Sequence, residues 1–311
     1  MLRLSALLAA LLAISTLAVA AHAQDDLELS DHSLVDTIVR TADGATVDRR
    51  ALREALVDAD FIVIGEKHDN PRHHAIQATL VDHVGTTGEL QAVAFEMLDR
   101  DAQLEVTRHF QEGGTAVGLA DAVGWERSGW GPWTWYGPIV HAARRHGATV
   151  VAADISRDDA RDIYDAGFAR FDDAFVRRTG LDTGLAPAEQ AAREQAMIEA
   201  HCGHDLGDGA AAMVDVQRAR DAMMADRLAR LTGTGQGILI TGNGHADVEQ
   251  GVPAVLERLR PAAAVLSVGL IEVRPEWTEP PTSLPYDYVW LTPRAEPADF
   301  DYCDQLNSSR G

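Results

Sequence analysis

The chain has 311 residues, 46% of them hydrophobic, and a formal net charge of -21. That is enough for a full hydrophobic core. The acidic balance argues against nucleic acid and anionic membrane surfaces as partners, and otherwise does no more than keep a protein soluble.

Residues 1–23 read as a secretory signal peptide. Arg3 gives a short positive end, Leu4–Ala20 is apolar or small throughout, and Ala21-His22-Ala23 has the spacing of a cleavage site before polar Gln24-Asp25-Asp26. The bland alternative is an uncleaved anchor, since the run approaches spanning length. No cysteine stands near the cleavage site, so the expectation is an exported, periplasmic chain in a bacterium that is not a lipoprotein. Residues 24–311 then form a single domain. Export places Cys202 and Cys303 in an oxidising compartment and predicts a disulfide between them.

Ile38–Arg40 suits an edge strand, Ala42-Asp43-Gly44 a turn, and Asp48 caps a helix with Leu52 and Leu56 inside. Phe61–Ile64 is apolar on both faces, as a strand buried on both sides requires. Gly65 ends it, and Glu66, Lys67, His68, Asp69 and Asn70 crowd the turn. Pro71 then opens a helix bearing His73 and His74. These imidazoles lie on neighbouring helix faces, so at most one of them faces the site, and His74 is the preferred one.

Val93–Phe95 is a second buried strand and ends in Glu96. Residues 125–136 hold Trp125, Trp130, Trp133, Trp135 and Tyr136 among Gly and Pro. They read as a loop that is either an aromatic wall for a flat ligand or a lid pinned over the core. Thr149–Ala152 is a third strand. Residues of about 156–231 are helical by period, a subdomain inserted before the fourth core strand, Ile238–Thr241. Val265–Val273 and Tyr286–Leu291 alternate partly and suit the sheet's edge. The fold class is α/β, a mainly parallel central sheet flanked by helices.

Two strands end alike, in Gly65-x-x-His68 and Gly242-x-x-His245, and a third delivers Glu96. Two imidazoles and a carboxylate at strand ends suit a divalent transition metal or acid–base chemistry, with Glu66 beside them. Each histidine alone is more often a structural hydrogen-bonding residue. There is no phosphate loop, no Gly-x-Ser-x-Gly, no zinc-type cysteine pairing and no c-type haem attachment motif.

The turn GEKHDNPRHH at 65–74 resembles the signature of the ChaN-like haem-binding uptake proteins. The likeness continues through AFEM at 94–97, WYGPIV at 135–140, QRARDAMMADRLARL at 217–231, GNGH at 242–245, GVP at 251–253 and YDYVWLTP at 286–293. The wider group takes in Tiki and TraB-like metalloproteases and erythromycin-esterase-like hydrolases, which share the Gly-x-x-His pair and the glutamate. The resemblance implies haem, a flat apolar molecule, held between two copies of the chain in service of an outer-membrane haem receptor system. It implies aromatics such as Trp133 and Tyr136 for the porphyrin face, Lys67, His68 and His74 for its propionates, and Tyr164 or Tyr136 for the iron. The alternative function is a metal-dependent esterase or peptidase built on His68, Glu96 and His245.

Overall fold

The computed structural model describes residues 27–231, 235–297 and Cys303; the expected signal peptide lies outside these. Eight strands form one mixed sheet. They are β1 (Ile38–Arg40), β2 (Ala45–Val47), β3 (Phe61–Glu66), β4 (Leu90–Asp99), β5 (Thr149–Asp154), β6 (Gln236–Gly242), β7 (Val265–Glu272) and β8 (Tyr288–Thr292). Their order is β2-β1-β8-β7-β3-β6-β4-β5. The six from β8 to β5 run parallel, and β1 alone runs against them, pairing antiparallel with β8 on one side and β2 on the other.

The four core strands expected from the sequence do pair in parallel, in the order β3-β6-β4-β5, but β5 is the sheet's last strand and has a partner on one side alone. Every residue of β3 and β6 is buried. β7 and β8 are not edges, contrary to the sequence reading. β7 pairs with β3 on one side and β8 on the other. Its alternation misleads because the polar Ser267 is itself fully buried, its hydroxyl donating to the Ala246 carbonyl.

Helices cover both faces. Leu52 and Leu56, Leu80 and Val84, and Ile139 and Val140 come from three helices that pack on Ile62, Ile64, Phe95 and Ile240. On the other face Met224, Leu228, Val252 and Leu256 pack on Val63, Ala94 and Leu239. The inserted helices, Arg157–Ala166, Asp173–Thr179, Pro187–Ala200 and Gly209–Leu231, gather in part around their own small core of Ile163, Phe175, Leu181 and Met223.

The tryptophan stretch is less of a loop than its glycines suggest. A helix, Trp133–Arg145, begins directly after Pro132. Tyr136, Ile139, Val140 and Ala143 repeat at helical spacing and are buried along it. Cys202 and Cys303 are bonded, with their Cα atoms 5.4 Å apart. Among the described residues no helix is long and apolar enough to cross a membrane.

Candidate functional site

The chain leaves β3 for β4 and β5 on one side, then returns to insert β6 between β3 and β4 before adding β7 on the other. The carboxyl ends of β3, β6 and β4 therefore meet where the winding reverses, the place open α/β sheets leave a crevice. Close approach there requires glycine twice. A Cβ on Gly65 would lie 2.5 Å from Asn243 Oδ1, and one on Gly242 would lie 2.8 Å from His68 Nε2.

Glu66 is the last residue of β3 and is buried. Its Oε1 lies 2.8 Å from His68 Nδ1. His74 Nδ1 sits 2.9 Å from Oε2, close but outside hydrogen-bond geometry. The helix carrying His74 is aimed by Asn70, which accepts from the Arg72 amide and donates to Glu272 and the Pro293 carbonyl. Burial alone would raise the Glu66 carboxyl, but His74 and His68 outweigh it and hold its pKa low.

Glu96 is the centre. Its Oε2 accepts from Thr241 Oγ1 at 2.7 Å and the Gly242 amide at 2.6 Å, and its Oε1 accepts from Arg220 Nη2 at 2.6 Å. Burial opposes its charge, but His245, Arg220 and His68 keep it ionised well below the ordinary carboxylate range. Arg220 also reaches Asp154 through Nε at 2.9 Å and Nη2 at 2.7 Å. Next along the same helix, Asp221 holds His245 Nδ1 at 2.6 Å. Both site imidazoles thus carry a buried carboxylate on Nδ1 and turn Nε2 toward Glu96 Oε1, at 3.7 Å from His68 and 3.8 Å from His245.

The predicted quartet of Glu66, His68, Glu96 and His245 is brought together in one cleft. Among the described residues no group of three or more His, Cys, Asp or Glu is placed to hold a metal ion. Arg220 supplies the positive charge beside Glu96 that a cation would have supplied. Arg220, Asp221 and the role of Asp154 escaped the sequence reading. The first two sit in a helix that reads as core, and the available signals were that they fall within the segment 217–231 quoted for the family likeness and that Asp154 ends its strand much as Glu96 does.

Two cavities of about 610 Å³ each open beside this cluster, and Glu96, Gln217 and Arg220 line both. The first has an apolar wall of Met97, Leu98, Trp125 and Trp130, with Arg127 and Arg157 also lining it. The second is lined by Lys67, His68, Asn243, His245, Arg274 and Arg294. Trp130 stands edge-on to His68, with ring centroids 4.7 Å apart, and Trp135 stacks on His74. The other expected ligand residues are more scattered. Lys67 pairs with Asp69, Glu272 and Glu296. Trp133 lines neither cavity; it donates to the Ala116 carbonyl and packs edge-on against Trp125. Tyr136 is wholly buried, its hydroxyl 3.4 Å from Glu66 Oε1. Burial and the charges of Glu66 and Glu96 push its pKa far up, an adverse setting for a tyrosinate ligand. Tyr164 is 43% exposed and lines neither cavity.

The site carries a pH signature. Burial lowers the His245 pKa, but Asp221 and Glu96 outweigh it and the net shift is upward from 6.5. A raised folded-state value contributes stability that is fully present below the unfolded pKa and lost as pH rises through the folded one. The stability that His245→Gln removes is therefore expected to be largest below about pH 6.5 and to shrink toward alkaline pH. Urea unfolding of both proteins across that range measures it, and a difference independent of pH would contradict the pairing.

An α/β chain with a polar cleft at the carboxyl ends of its central strands, flanked by a tryptophan-walled cavity, is the class of protein defined so far. It belongs to the haem-binding uptake family of ChaN, in the Tiki superfamily, whose model matches residues 52–256. Among solved structures it is similar to ChaN of Campylobacter jejuni, described with cofacial haem binding. The two are 19% identical with a TM-score of 0.63, over 81% of this chain and 95% of that one. A type III effector (12% identity, TM-score 0.43, 85% of this chain and 99% of that one) and an erythromycin esterase mutant in its open conformation (13%, 0.41, 88% and 86%) are more distant. No curated protein matches.

Proposed function

We propose that this is an exported haem-binding protein that serves haem and iron uptake in the periplasm. The family match over residues 52–256 carries the reading. The cavity walled by Met97, Leu98, Trp125 and Trp130 supports it, because a porphyrin needs a broad apolar face. Arg127 and Arg157, lining the same cavity, suit the propionates. Ala160 lines that cavity too, and Tyr164 lies one turn further along the same face of the helix Arg157–Ala166. Tyr164 would ligate the ferric iron through its phenolate oxygen. Tyr136 would not, being sealed behind Glu66. Because Tyr164 is exposed, a haem it holds would be open on its outer side, and a second copy of the chain would cover it. Release would then deliver haem to an outer-membrane receptor system.

Titration with haemin, followed by its Soret and charge-transfer bands, tests this. Wild type is expected to give a high-spin ferric spectrum of tyrosinate type. Tyr164→Phe is expected to lose that spectrum, while Tyr136→Phe keeps it. A spectrum unchanged in Tyr164→Phe would move the ligand elsewhere.

A further inference from the structure

Haem binding leaves the most elaborate part of the molecule unexplained. A porphyrin held against the tryptophan wall has no need of two imidazoles, each oriented by its own buried carboxylate, facing one glutamate oxygen. From these juxtaposed pairs and the arginines beside them we propose that the cleft is a metal-free hydrolytic site for esters with an anionic acyl part.

Each Nδ1 is engaged by a carboxylate, Asp221 for His245 and Glu66 for His68. That fixes the ring and leaves Nε2 free to exchange a proton. The Nε2 atoms stop 3.7 and 3.8 Å from Glu96 Oε1, too far for direct hydrogen bonds. A water can bridge such a gap. His245, buried against Asp221, takes a proton from this water as its oxygen forms a bond to the ester carbonyl carbon. The carbonyl π pair becomes an oxyanion beside Arg220, whose Nη1 is not among the atoms that bind Glu96 or Asp154. The oxyanion collapses, the carbon–alkoxy bond breaks, and the departing oxygen takes a proton from the His68 imidazolium. The carboxylic acid and the alcohol leave, and solvent returns His245 to its neutral form and His68 to its protonated one.

The second cavity sets the substrate class. Arg274 and Arg294 line it, and neither has a carboxylate partner among the described residues. Arg274 lies over the Trp277 ring, and the Nε of Arg294 is buried with no hydrogen-bond partner. In a chain of formal charge -21, two such guanidiniums beside a reactive cleft favour a carboxylate on the bound molecule.

The test compares p-nitrophenyl hemisuccinate with p-nitrophenyl butyrate, both with chelator present, using the full exported chain. Wild type is expected to hydrolyse the hemisuccinate above background, with kcat/KM higher than for the butyrate by about tenfold, the worth of one charged hydrogen bond. His245→Gln is expected to lower kcat by about 100-fold, and Asp221→Asn to lower kcat rather than raise KM. Haemin affinity should stay unchanged in both, since neither residue lines the tryptophan-walled cavity. Arg274→Ala with Arg294→Ala is expected to lower kcat/KM for the hemisuccinate by about tenfold and so erase the preference over butyrate. No turnover of either ester, turnover abolished by chelator, or full activity in His245→Gln overturns the hydrolytic site. Equal rates on the two esters in wild type overturn the anionic substrate class. None of these results depends on whether haem binds.

Discussion

Arg220→Ala is expected to destabilise the protein by about 3 kcal/mol, near the lower end for breaking a buried ion pair because a fifth of the side chain remains exposed. The arginine stands between Glu96 and Asp154, at 2.6 Å and 2.7 Å, and both carboxylates are buried. Without it two negative charges are left at neighbouring strand ends with little solvent. Asp154 responds first. Burial already raises its pKa despite Arg220, so the variant should bind a proton there at higher pH than wild type does. Arg220→Lys keeps the charge but loses the fork that spans both carboxylates, and should recover only part of the loss. Denaturant unfolding at neutral and mildly acidic pH measures this. If Arg220→Ala and wild type unfold at the same midpoint, the guanidinium is not what holds these carboxylates.

Loss of the disulfide is expected to cost about 4–5 kcal/mol in the chain-entropy account, because it closes a loop of sequence separation 101. The bond ties the turn after the helix Pro187–Ala200 to Cys303 beyond the last strand. Between them, residues 293–297 dock by the site: Arg294 pairs backbone to backbone with Glu28, Ala295 donates to Glu272, and Glu296 pairs with Lys67. Cys202→Ser with Cys303→Ser should therefore lower the unfolding midpoint strongly. Its effect on the haemin spectrum should be small, because neither cysteine lines the tryptophan-walled cavity. A double variant as stable as wild type would mean that the unfolded chain gains no freedom when the bond is lost.

Much of this architecture can be read from local pattern. β3, β4, β5 and β6 are apolar runs bounded by glycine and polar turns, and such runs suit a parallel sheet covered by helices on both faces. That β5 ends the sheet while β3, β6 and β4 lie inside it is not written in the runs themselves. The echo of Gly65-x-x-His68 in Gly242-x-x-His245 located the cleft, because each strand delivers its side chains to the same edge. Position in the sheet is harder. β7 shows alternation, but it is flanked on both sides, and Ser267 hides in the core by satisfying its hydroxyl locally. The partners of the site were hardest of all. Arg220 and Asp221 lie more than a hundred residues from Glu96 in sequence, on a helix whose period declares only which face is apolar. That the Arg220 guanidinium pairs with Glu96 depends on how this helix crosses the sheet, and no local pattern encodes it. Trp130 was visible as part of an aromatic stretch, but its contact with His68 arises only when the loop folds back over the strand ends.

Haemin titration of the exported chain, read as Soret absorbance together with size-exclusion mass, is the most direct measurement of the central claim. The account predicts saturable, stoichiometric binding with a tyrosinate-type spectrum in wild type, a rise to dimer mass on loading, and loss of both in Tyr164→Phe. Haemin that partitions without saturation and leaves the mass unchanged would contradict it.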